Sequence, residues 1–127
     1  MALPTNSSGA MLESLKSRGG KRWPRGQKFE LSPPGVIAET AYRDAIQAAR
    51  AQGRTALELA QRAWAEPLGV QPGDGVLLGE LRTGKKSIAE LARALDDCGT
   101  TQLEVKGAID RLSDALLIAP VPLAQAA

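Results

Sequence analysis

A mainly α-helical fold, with a helix-turn-helix in the C-terminal half and at most a short β pairing, is what this chain predicts, on three observations. Two capping boxes, Ser87 with Glu90 and Thr101 with Glu104, each set a hydroxyl and a carboxylate three residues apart, where they satisfy the free N–H groups of a helix start. Behind each box the apolar residues recur at helical spacing. The chain is 43% hydrophobic but only 3% aromatic, so its core is built from Ala, Leu, Val and Ile, which suits closely packed helices.

Residues 1–28 read as a flexible basic arm, rich in Ser and Gly, with only a weak apolar spacing at Met11, Leu12 and Leu15. A single helical domain is expected over 29–127. Gln27 to Leu31 reads as a short strand, and Ser32-Pro33-Pro34-Gly35 breaks the chain before a first Ala-rich helix over Val36 to Ala51. The apolar stripe of that helix is Ile37, Ala41, Ala45 and Ala48, with Tyr42 at its edge. Gly53 ends it. Thr55 and Glu58 then form a third capping box for a second Ala-rich helix reaching Glu66, with Leu57, Ala60, Ala63 and Trp64 on its buried face.

Pro67, Gly69, Pro72 and Gly73 make a loop, and Asp74 is the expected N-cap of a third helix carrying Val76, Leu77, Leu78 and Leu81 inward until Gly84. In the first helix of the following pair, Ile88, Leu91, Ala92 and Leu95 share one face. In the second, Val105, Ala108, Ile109, Leu112, Ala115 and Leu116 do. Asp96, Asp97, Gly99 and Thr100 supply turn chemistry between them. That makes five helices.

The charge and chemistry of the chain narrow its function. Net charge is +2, but Lys16, Arg18, Lys21, Arg22, Arg25 and Lys28 fall between Ser14 and Lys28 with no acid among them, whereas the region from Pro67 onward is slightly negative. There is no histidine, so no Ser-His or Cys-His pair and no zinc-type cluster exists, and the single Cys98 excludes an intrachain disulfide. Cys98 reads as a structural thiol in the interhelix turn. Gly79 and Gly84 have the spacing of a phosphate-binding loop, but Lys85 is followed by Lys86 where that loop needs Ser or Thr. The expectation is a protein that is not an enzyme, takes no cofactor or metal, crosses no membrane and resides in the cytoplasm.

The residues from 74 to 121 resemble the winged helix-turn-helix superfamily: a helix at Gly75 to Thr83, the capped pair over residues 87–118, then Leu117-Ile118-Ala119-Pro120-Val121 where the family has its first wing strand. The wing is truncated, because Pro120 and Pro122 remove backbone donors and few residues follow; a strand here is expected to pair with Gln27 to Leu31. The resemblance implies a recognition helix that faces the DNA major groove with Thr101, Gln102, Leu103, Lys106 and Gly107, and sets Arg111 near a phosphate. In that frame Gln102 reads adenine, and Lys106 reaches guanine or phosphate.

Two partner classes therefore compete. In the first, the protein binds nucleic acid, DNA in particular, in a regulatory role: Lys21, Arg22, Trp23, Arg25 and Lys28 hold the polyanion through counterion release and stacking, and Thr101, Gln102, Lys106 and Arg111 read it. In the second, the fold is a protein-interaction adaptor or a homodimer, because Leu103, Gly107, Asp110 and Asp114 lie opposite the buried stripe and the two acids repel phosphate. The same face covered from within the chain is the bland alternative.

Overall fold

In the computed structural model, residues 22–122 are described. They form five α-helices and a small antiparallel sheet in the order β1 (Lys28–Leu31), α1 (Pro33–Arg50), α2 (Arg54–Leu68), α3 (Asp74–Arg82), β2 (Lys86–Ser87), α4 (Ile88–Ala94), α5 (Gln102–Asp114) and β3 (Ile118–Pro120). The mainly helical class is as expected. No helix among the described residues is long and apolar enough to cross a membrane.

The sheet has the order β2-β1-β3, with both neighbours antiparallel to β1. Phe29 lies opposite Lys86 on one side and Pro120 on the other, and Leu31 lies opposite Ile118. The expected pairing of the strand at Ile118–Pro120 with the segment before the first helix is thus present. Pro120 is tolerated because β3 is an edge strand. The two-residue β2 has no counterpart in the sequence reading, since Lys86 and Ser87 carry no strand pattern of their own.

Helix α1 begins three residues earlier than expected. Ser32 is its N-cap, accepting from the Gly35 N–H at 3.1 Å, and Pro33 and Pro34 occupy the first turn, where a missing N–H costs nothing. Its buried face also differs from the expected stripe: Gly35, Ala38, Glu39, Ile46 and Ala49 turn inward, while Ile37, Ala41 and Ala48 face solvent. Long-range fits decide this register. Gly35 sits against the Leu117 carbonyl, where a Cβ would collide, and the Trp64 indole donates to the Ala38 carbonyl at 3.0 Å.

The third capping box does not form. Helix α2 starts at Arg54 behind Gly53, whose φ of 101° suits glycine, so Thr55 and Glu58 lie inside the helix with no cap to make. Trp64 and Ala65 carry its burial, Leu57 and Ala60 are half-buried, and Ala63 is exposed. Asp74 likewise is a first-turn residue of α3 and not its N-cap, and Val76 turns outward.

Both boxes of the helix-turn-helix do form. Ser87 and Thr101 each accept from the N–H three residues on, at 3.2 Å, and Glu90 and Glu104 return the bond to the cap N–H at 2.8 and 2.9 Å. Leu91, Ala92, Leu95, Val105, Ala108, Ile109 and Leu112 share one core with Phe29, Leu77, Leu78, Leu81, Leu117 and Ile118. The last predicted core position is corrected: Leu116 is 71% exposed at φ 63°, and Leu117 takes the buried place. The cause is a Schellman ending, in which the Leu116 and Leu117 N–H groups return to the Ser113 and Leu112 carbonyls and leave Leu116 in the left-handed conformation.

Candidate nucleic-acid interface

The first turn of α5 sets one wall of a groove of about 800 Å³, with Gln102, Leu103 and Lys106 on it. The start of α4 supplies Ile88 and Ala89, and the segment before β1 closes the third side with Trp23, Arg25 and Gln27. Trp23 and Arg25 of the arm and Gln102 and Lys106 of the helix therefore meet in one place.

Local chemistry explains how the arm is held there. Pro24 to Gln27 is a tight turn closed by the Gln27 N–H on the Pro24 carbonyl at 3.0 Å, with Gly26 at φ 79° in the position where such a turn needs glycine. The Gln27 side chain is buried and donates to the Lys28 and Val121 carbonyls at 2.8 and 2.7 Å, which ties the turn to the sheet edge. Trp23 stands edge-on to Phe29, ring centroids 4.9 Å apart at 89°, and its indole donates to Asp110 Oδ1 at 3.2 Å. The seven described arm residues thus include a docked indole. It lines the groove while it packs on Phe29.

Asp110 changes meaning accordingly. It was expected on the outward face as an acid that repels phosphate, yet its side chain is only 13% exposed and lies between Trp23 and the Lys106 ammonium, 2.8 Å from Oδ2. Its charge is met by a cation one helical turn away. Lys106 is thereby held along the groove wall.

Arg111 is not at this groove. Its guanidinium grips Asp74 with two bonds of 2.9 Å, Nε to Oδ2 and Nη2 to Oδ1, on the side of α5 that faces α3. Asp74, 3% exposed, also accepts from the Gln71 N–H at 3.0 Å. The hydrogen-bonded carboxylate raises the Arg111 pKa above its ordinary value, against the opposing effect of burial. The fork that would clasp a phosphate is here engaged by the Asp74 carboxylate.

The remaining candidates are spread. Leu103 is 80% exposed at the groove mouth, and Thr101 and Gln102 are exposed at the helix start. Lys28 reaches Glu90 at 3.7 Å, Arg22 and Arg25 are exposed, and Lys21 lies outside the described residues. Gly107 is half-buried beside the Arg111 guanidinium, and Asp114 is exposed in the last turn of α5. Sequence reasoning missed Gln27, Ile88 and Ala89 as groove residues. Gln27 donates to its neighbour Lys28, but its other acceptor, the Val121 carbonyl, lies 94 positions away.

Among the described residues no group of three His, Cys, Asp or Glu side chains is placed to hold a metal ion. No protein-family model, curated protein or solved structure matches this chain.

Proposed function

We propose that this is a non-enzymatic, regulatory DNA-binding protein of winged-helix-like build, and that the groove at the start of α5 is its DNA surface. The observation that carries the reading is the convergence of Arg25, Gln102 and Lys106 on one groove, where the arm offers a polyanion the Arg25 guanidinium, the helix offers an amide able to pair with a base edge, and Lys106 offsets the Asp110 carboxylate. The succession of α3, the capped pair and β3 supports the fold assignment, with β1 alongside β3 in place of a second wing strand. The neutralised Asp110 removes the main electrostatic objection.

The test is a salt titration of duplex DNA binding by fluorescence anisotropy. Each lost phosphate contact lowers the slope of log affinity against log salt by about 0.9, so Arg25→Ala should flatten it by about one unit, and Lys106→Ala, which uncovers the Asp110 charge, should weaken binding. A retained slope in Arg25→Ala together with unchanged affinity in Lys106→Ala would move DNA binding away from the groove, and no binding at low salt would end the reading. One observation favours a second reading: Leu103, 80% exposed at the mouth of a groove with an apolar side, is the kind of anchor a partner helix buries. A protein face there would tolerate Lys106→Ala and lose its partner with Leu103→Ala.

A further inference from the structure

Residues of α1 and α3 line a second groove of about 440 Å³ that shares no residue with the first. Its floor is apolar. Ile46 is buried there, Tyr42 packs its ring on Trp64 with centroids 4.8 Å apart, and Val76 remains 41% exposed. At Gly79 an added Cβ would meet nothing within 4 Å, so the α3 backbone itself borders the opening.

The rim is positive. Glu39, 3% exposed, sits between Arg43 at 3.1 Å and Arg82 at 3.2 Å, while about half of each arginine side chain stays accessible, and Arg50 adds a third cation. Three cations less one carboxylate leave +2 around an apolar floor.

We propose that this groove docks an acidic amphipathic helix of a partner protein. An apolar stripe at helical spacing would fill the floor, and flanking Glu or Asp side chains would meet the arginines. Charge selects this occupant over those the chain itself can offer. Residues 1–21 carry Lys16, Arg18 and Lys21 against Glu13, three cations less one acid, and so share the sign of the rim. Residues 123–127 have no charged side chain to offer the arginines. A second copy joined through the same face would set arginine against arginine. The inference is independent of DNA binding, which uses the other groove.

A displayed library of randomised amphipathic helices, selected on the full chain, tests it. Enriched peptides should carry acidic flanks, and the best of them should bind Val76→Glu and Arg50→Glu at least about tenfold more weakly, as like charges opposed across an interface do. Both positions are exposed, so the variants should melt as the parent does, and their DNA affinity should be unchanged. Three results would each overturn the proposal: no enrichment or enrichment without acidic flanks, peptide binding indifferent to both substitutions, or sedimentation showing a self-associated protein that Val76→Glu makes monomeric.

Discussion

Arg111→Ala separates the two roles the guanidinium has been given, a structural clamp or a phosphate contact. In the structure Asp74 is 3% exposed and its carboxylate takes both arms of the arginine at 2.9 Å. Removing one partner of such a buried pair costs about 3–5 kcal/mol, because the other charge is left uncompensated. The Arg111 side chain is itself 35% accessible, so water can enter the vacated space and the lower end applies, about 3 kcal/mol. That is more than a hundredfold in the folding equilibrium, at about 1.4 kcal/mol per decade. Urea denaturation at neutral pH measures it. Adding Asp74→Asn to Arg111→Ala should recover part of the loss, since a buried amide without its partner costs less than a buried charge. DNA affinity and its salt slope, measured well below the melting temperature, should be unchanged by Arg111→Ala. A stability loss under about 1 kcal/mol together with a slope reduced by about one unit would refute the clamp and return Arg111 to a phosphate.

Two further outcomes follow from the helix ends. Leu116→Gly should raise stability by about 1 kcal/mol, seen as a melting temperature higher by about 5 °C, because it relieves a left-handed leucine whose side chain is largely in solvent; a lower melting temperature would mean that the exposed leucine has a packing role. Glu90→Gln should blunt the acid sensitivity of the fold. The Ser87 backbone N–H chiefly lowers the Glu90 pKa below its ordinary 4.5, so this carboxylate's contribution is full above 4.5 and is lost as the pH falls through the lower folded value. The glutamine keeps an acceptor for the same N–H but has no proton to gain. Comparing urea midpoints at about pH 6 and about pH 3, the parent should lose more than the variant, and equal losses would exclude the linkage.

The parts of the fold legible in the sequence are those fixed by neighbours three or four residues apart. Ser87 with Glu90 and Thr101 with Glu104 close their own boxes, so the helix-turn-helix could be located without knowing what surrounds it. Where the same pattern met a distant constraint, the constraint prevailed. Thr55 and Glu58 have the spacing of a box, but the helix starts behind Gly53, two residues too early for them. The stripe of α1 was misplaced because alanines distinguish its faces weakly, and the face was settled by Gly35 against Leu117 and by Trp64 against Ala38. Strand β2 was invisible for a related reason: two residues join the sheet only because β1 arrives beside them.

The candidate site shows the same division, with consequences for charge. The winged-helix resemblance puts Gln102, Leu103 and Lys106 on one groove, and they do line one, lying within one turn and a half of α5. The resemblance gives Arg111 to a phosphate and the helical wheel gives Asp110 to the outward face, but neither contains the long-range partners, Trp23 for Asp110 across 87 positions and Asp74 for Arg111 across 37. Those two long-range contacts reverse the electrostatic reading of α5 in opposite senses. The acid thought to repel a polyanion is met by Lys106 and the indole, and the cation thought to attract one is spent on a buried carboxylate. The groove consequently depends on a cation from outside the helix, and Arg25 supplies it only because Trp23 and Gln27 fasten its turn to Asp110 and Val121. Arm and helix then form one surface.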